Sequence, residues 1–167
     1  DVYKRQIVDN DMGTLSIDKL SLQGGTLAKV TDGDNSTFAH FAEDPYKGGT
    51  IKDYIPIDAS LILTFKNPKK LGTINFVQDS KTDKITKYAL EYTIDGKNWQ
   101  EIAKYDGQAA VNEDVSALNL TVKAVRIRNL ELNLQNDSAG FWWKVYDFSV
   151  SNPAAIEKTF MYTDTWE

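Results

Sequence analysis

The 167-residue chain has no cysteine and one histidine. Absence of cysteine excludes a disulfide framework and a thiolate zinc site. No apolar run approaches the ~20 residues needed to span a bilayer, and no signal-peptide pattern is present, so any export signal is expected to lie outside the sequence. Basic clusters are scarce: the net charge is −5. Lys66, Lys69 and Lys70 stand close together, but the intervening Asn67-Pro68 reads as a solvated turn. Nucleic-acid affinity comes largely from Lys and Arg displacing counterions, so nucleic acid is disfavoured as a partner, as are anionic membranes and acidic polysaccharides. Catalytic signatures are also missing. There is no nucleophile elbow, phosphate loop or HExxH run. Carboxylate pairs such as Asp44 with Asp79, or a Ser-His-Asp set on His40, arise by chance in an acidic chain, and the chain is read as non-catalytic.

What remains reads as β. The length fits one domain with short extensions, and a chain of this size buries roughly two-thirds of its unfolded surface. Leu61, Leu63 and Phe65 alternate, as do Ile74 with Phe76, Tyr88-Leu90-Tyr92-Ile94, and Val125 with Ile127. Asp95-Gly96 before Trp99 predicts a tight hairpin turn. No segment carries a helical stripe over three turns. Many short strands separated by turns predict an all-β sandwich or barrel. The expected core holds Trp99 and Trp143 with Leu63, Phe76, Leu90, Ile127 and Phe148. Residues 1–13 read as an N-terminal extension, with Asp1–Gln6 left out of fold reasoning. Residues 14–152 read as the sandwich. Residues 153–167 read as a linker or the beginning of another module, the alternative being a tail docked through Phe160 and Trp166.

In the run Trp143-Lys-Val-Tyr-Asp-Phe-Ser-Val150, Val145 and Phe148 have opposite parity. If both face the core, one extra residue lies between them, which is a β-bulge, and Asp147 is the side chain it re-aims. Far upstream, Asp32-Gly33-Asp34-Asn35-Ser36-Thr37 packs turn formers and hard oxygens into one short loop. Such a stretch is a hairpin corner or a calcium loop, since calcium takes six to eight oxygens from carboxylates, hydroxyls and carbonyls.

The ordered set Lys29-x-x-Asp32-Gly33-Asp34-x-x-Thr37, the strand ending Phe76-Val77-Gln78, Tyr88 to Trp99, Val125-Arg-Ile-Arg128 and Trp143 to Val150 resembles the coagulation-factor 5/8 type C, or discoidin-like, domain. It most resembles the bacterial sugar-binding branch, the family 32 carbohydrate-binding modules, over roughly residues 14–151. The resemblance implies a β-sandwich with jelly-roll-like topology and one structural calcium. That ion would take the Lys29 carbonyl, Asp32, Asp34, Thr37 and Asp147, the last standing where the family usually has Glu.

The same resemblance implies a shallow sugar site built from loops at one end. His40 occupies the position where the sugar-binding branch often has His or Trp, and an imidazole both donates and accepts. Residues 38–59 read as one long loop in which Phe41 and Tyr46 offer ring faces and Glu43, Asp44 and Lys47 offer polar contacts. Gln78 to Lys84 lacks the Arg and Asn of galactose-binding relatives and places Asp79, Lys81 and Asp83 there instead. Phe141 or Trp142 supplies a stacking platform. The implied role is an accessory module of a secreted, multi-modular bacterial glycoside hydrolase, monomeric and extracellular, whose partners are other modules of its polypeptide and the terminal sugars of glycans. These would be N-acetylhexosamine- or galactose-containing ends. A spacer or protein-contact module without a sugar site is the alternative.

Overall fold

Alternation of apolar and polar residues gives each strand one inward and one outward row, and the inward rows of two sheets close on each other. The computed structural model describes residues 11–47, 53–134 and 142–154. Its elements are β1 (Thr14–Asp18), β2 (Leu20–Gly25), a 3-10 turn (Leu27–Val30), β3 (Ala39–Glu43), β4 (Tyr54–Ile55), β5 (Ser60–Lys70), β6 (Thr73–Gln78) and β7 (Lys87–Thr93). They continue with β8 (Trp99–Asp106), β9 (Ala110–Asp114), a second 3-10 turn (Ser116–Leu118), β10 (Thr121–Asn129), β11 (Asn133–Leu134) and β12 (Trp143–Val150). One five-stranded sheet runs β1-β5-β10-β7-β8 and the other β2-β3-β12-β6-β9, with β11-β4 as a small third ladder. The result is the expected all-β sandwich.

Leu61, Leu63, Leu90, Val125 and Ile127 of the first sheet meet Phe41, Phe76, Trp143, Val145 and Phe148 of the second in one buried cluster. Trp143 is fully buried, as its parity predicts, and packs 6.1 Å from Phe41 and 6.2 Å from Phe76 between ring centroids. Its indole N–H donates to Gln78 Oε1 at 2.8 Å, so the polar end of a buried ring is satisfied. Gln78 in turn donates to the carbonyls of Ile85 and Gln108 and accepts from the Ile85 N–H.

The expected bulge is present. The β12–β6 register shifts between Val145, opposite Gln78, and Asp147, opposite Val77. Val145, Asp147 and Phe148 are all buried while Tyr146 between them is not.

Four expectations need correction. Trp99 is not in the core: paired with Thr93 on the outward row, it is half-buried beneath the Arg126 guanidinium, 4.2 Å from the ring centroid. Arg126 is itself fixed by Glu91 (2.7 Å), which also binds Arg128 (2.8 Å), so a cation supplies the cover that the core does not. Asp95-Gly96 does mark a hairpin, but the connection runs from Ile94 to Asn98. Asp95 accepts the N–H groups of Lys97 and Asn98, Gly96 takes φ +84°, and Ile94 is left 61% exposed. Asn67-Pro68 is not a turn between elements: it lies within β5, where the β10 register jumps from Lys69–Val122 to Thr64–Ala124. Lys69 there is buried, its ammonium donating to Asn152 Oδ1 and lying over the Phe65 ring. Finally, residues 38–59 are not one loop. β3 and β4 lie inside it, with Glu43 buried between them and accepting the Lys47 and Tyr54 N–H groups. The expected roles of Phe141, Phe160 and Trp166 lie outside the described residues.

Candidate functional sites

The acidic loop connects the first 3-10 turn to β3. Thr37 Oγ1 sits 3.3 Å from the Lys29 carbonyl, 2.8 Å from Asp32 Oδ2 and 3.0 Å from the Asp34 carbonyl. One hydroxyl proton cannot serve three acceptors, so these oxygens converge with too few donors among them. The Asp34 carboxylate is spent on the turn, where Oδ1 accepts the Ser36 N–H and hydroxyl. Its main-chain oxygen, not its side chain, faces the cluster.

Asp147 reaches this loop from the bulge. Its Oδ2 accepts the Ser149 hydroxyl at 2.9 Å, and its Oδ1 is buried with no hydrogen-bond partner. Burial raises the Asp147 carboxyl above the usual carboxylate range, and the Asp32 negative charge adds to this despite the Ser149 bond. A buried, half-unpartnered carboxylate beside a second carboxylate, two carbonyls and a hydroxyl suits a hard cation. Among the described residues no three His, Asp or Glu side chains gather as metal ligands. The set therefore fits an ion that accepts carbonyl and hydroxyl oxygen, and it does not fit a transition metal.

The second site is on the outer face of the β3–β12 ladder. Lys144 pairs with His40 and Val145 with Ala39. Alternation then turns Phe38 and His40 of one chain segment, and Trp142, Lys144 and Tyr146 of the other, to the same outward face. His40 is therefore a strand residue, set edge-on to Trp142 at 5.6 Å and to Phe38 at 5.2 Å. Tyr46, 43% exposed, meets Trp142 at 6.5 Å. Trp142 is half-buried, and its indole N–H donates to Asp53 Oδ2 at 2.6 Å. Burial, then the charge and hydrogen bond of Asp53, raise the Tyr46 phenol above its ordinary range. Asp53 Oδ1 is buried without a partner.

His40 Nε2 is also buried without a hydrogen-bond partner, and Asp83 Oδ2 lies 3.5 Å away, close enough for charge but long for a hydrogen bond. Burial lowers the His40 pKa below its ordinary 6.5, with Lys144 acting the same way and Asp83 opposing both. The imidazole is thus neutral near pH 7, and its Nε2 is shut away from solvent beside Asp83.

The expected site residues divide. His40, Tyr46 and Trp142 come together. Phe41 does not join them: on the odd parity of β3 its ring is fully buried against Trp143, so it is a core residue and not a ligand face. Asp79 lies in the right loop, but its Oδ2 accepts the N–H groups of Lys81, Thr82 and Asp83 and so shapes that loop. Lys81 is exposed. Asp83, not Asp79, meets His40, and the loop is tied down by Lys144 N–H to the Asp83 carbonyl (2.8 Å) and Asp79 N–H to the Lys144 carbonyl (3.0 Å). Sequence reasoning missed Phe38, Asp53, Lys144 and Tyr146, and it placed Asp83 in the loop without assigning it to His40. The outward parity of Lys144 and Tyr146 beside Trp142 was a readable signal. Nothing local marked Asp53.

Comparison with known proteins bears on the fold and the family. The F5/8 type C domain model matches residues 16–148. No curated protein sequence matches the chain. The fold is similar to chitosan-binding module 1 of a chitosanase/glucanase from Paenibacillus sp. IK-5, with TM-score 0.59 and 12% identity over 84% of this chain and 95% of that one. It is similar to a family 32 module from Clostridium perfringens in complex with GalNAc-β-1,3-galactose, with TM-score 0.56 and 16% identity over 81% and 94%. It is also similar to the family 32 module of Clostridium perfringens NanJ in complex with galactose, with TM-score 0.56 and 15% identity over 84% and 98%. With its sandwich and a family match spanning most of its length, the chain belongs to the F5/8 type C domain family, whose members are non-catalytic binding modules.

Proposed function

We propose that the chain is a carbohydrate-binding module that brings a secreted, multi-modular bacterial glycoside hydrolase to glycans ending in N-acetylhexosamine or galactose. The observation that carries this reading is Trp142, a half-buried ring locked by Asp53, with the rings of His40 and the exposed Tyr46 set edge-on beside it. Such an arrangement suits a pyranose, which presents an apolar C–H face to a ring and hydroxyls to groups that donate and accept. Tyr46 and Asp83 complete the rim. The fold relatives whose complexes contain galactose or GalNAc-β-1,3-galactose support the substrate class. The absence from residues 78–84 of the Arg and Asn of galactose-binding relatives counts against galactose without counting against sugar binding. A site this shallow implies weak single contacts, about 10 µM to 1 mM or roughly −4 to −7 kcal/mol. Tethering to an enzyme on a multivalent surface offsets that weakness.

We also propose that one calcium ion is held by the Lys29 and Asp34 carbonyls, Asp32, Thr37 and Asp147. Bound there, the ion would neutralise the facing carboxylates and tie the loop before β3 to the bulge of β12. The residues themselves position it: Thr37 gathers the oxygens and Ser149 orients Asp147.

A glycan array probed with the purified domain, with and without chelator, tests the reading. Binding to glycans ending in N-acetylhexosamine or galactose is expected. Absence of binding to every glycan in the presence of calcium would leave the spacer reading in its place.

A further inference from the structure

The rings around His40 do not stop at a single-sugar site. Tyr146, Phe38, His40, Trp142 and Tyr46 form a chain of neighbours with successive centroid separations of 5.9, 5.2, 5.6 and 6.5 Å, each pair edge-to-face at 64–69°. Residues 142 to 146 run four residue steps from just before β12 into it, and the rise of a strand makes that about 13 Å, longer than one pyranose ring. The row starts directly after the oxygen-lined loop and ends at the loop after β3.

Its far half is chemically built. The Lys144 ammonium lies 4.3 Å from the Phe38 ring centroid and 5.3 Å from that of Tyr146. The Tyr146 hydroxyl and the charges of Asp79 and Asp83 hold it in the charged form. A lysine fixed in this way is a directed donor beside two rings. On one flank the row is walled by residues 79–83. On the other, Gly24 pairs with His40, so the surface there carries no side chain.

Resting on the sugar-binding reading above, we propose that Phe38, Lys144 and Tyr146 form a second subsite. The module then binds consecutive units of a glycan chain along the β3–β12 face, with the end unit at Trp142 and His40. The nearby charges, one ammonium against two carboxylates, favour a neutral unit whose hydroxyls both donate and accept.

The test is calorimetry, with calcium present, using galactose, N-acetylgalactosamine and N-acetylglucosamine and the di-, tri- and tetrasaccharide series that each terminates. In the series that binds, affinity is expected to rise by about tenfold, or about 1.4 kcal/mol, from mono- to trisaccharide. Tyr146→Ala and Lys144→Met should shrink that gain to below about twofold. Unchanged melting curves for Lys144→Met, an outward residue, keep the result separate from folding. A monosaccharide bound as tightly as its trisaccharide overturns the second subsite and leaves the sugar reading standing. A chain-length gain that survives both substitutions overturns its assignment to this row. No binding in any series overturns the sugar reading and this inference with it.

Discussion

The indole N–H of Trp142 and the carboxylate of Asp53 meet at 2.6 Å across 89 residues of sequence. This contact aims the ring. A tryptophan at the start of a strand has two rotatable bonds and several neighbours to lie against, and the buried Asp53 selects one orientation.

If that ring is a stacking face, Trp142→Ala should weaken glycan binding by about 1–3 kcal/mol, by analogy with base–aromatic stacking. Asp53→Ala should weaken it in the same direction by releasing the ring. Titration calorimetry on both variants checks this. Affinity equal to wild type in Trp142→Ala would remove Trp142 from the site.

The calcium proposal predicts a chelator effect. A ligand that binds only the folded state at about 100 times its dissociation constant adds about 2.7 kcal/mol. Thermal melts should therefore fall on adding chelator, and Asp32→Ala and Asp147→Asn should erase the difference. Asp34→Ala should retain part of it, because only the Asp34 carbonyl faces the oxygens. A melting temperature indifferent to chelator in wild type contradicts the proposal.

Among the described residues Trp143 is the largest fully buried side chain, and it satisfies its own N–H through Gln78. Trp143→Ala should cost about 3–5 kcal/mol of stability in urea titration. Loss below about 1 kcal/mol would mean that the core collapses around the gap, contrary to its packing.

Glu91 is buried and accepts from both Arg126 and Arg128. Glu91→Ala leaves two guanidinium groups without their shared partner and should cost about 3 kcal/mol, at the low end for a broken buried pair because both arginines are partly solvated. Arg126 would also lose its hold above Trp99, so the tryptophan emission of the folded variant should shift to the red.

His40 gives a pH signature. Its folded pKa lies below the unfolded value near 6.5 because burial disfavours the cation. The unfolded chain then binds more protons in the window below 6.5. Stability from this group is complete above that value and is lost as pH falls from 6.5 toward the folded pKa. The wild type minus His40→Gln difference in unfolding free energy should fall across that interval. A flat difference would show that the imidazole ionises freely in the folded state.

The sandwich was legible because strand alternation is local and each core row repeats every second residue. The bulge was legible for the same reason: Val145 and Phe148 cannot both be inward without it. Trp99 was misplaced because hydrophobicity says that a ring needs cover without saying what supplies it, and the cover is Arg126, held by Glu91 from the neighbouring strand. Phe41 was misplaced because β3 was hidden in what read as a loop, and without strand parity its ring had no assigned face. Asp53, and the pairing of Asp83 with His40, were invisible for another reason. Each acts through one long-range partner, and ordinary acidic loop residues carry no mark of which partner they will meet.

The two ends of the last strand have unequal neighbours. Gly72 N–H bonds the Ser151 carbonyl, and Gly72 leaves no room for a Cβ, whose nearest atom would be the Asn152 carbonyl oxygen at 2.3 Å. Residue 151 therefore departs from the pole opposite Trp142, and β1 runs so that Thr14 is nearer that pole than Asp18, which faces Ser60. The geometry is that of a plug with its leads on the back. A partner fused at residue 14 or 151 would therefore start from the pole away from Trp142 and leave that end of the ring row uncovered.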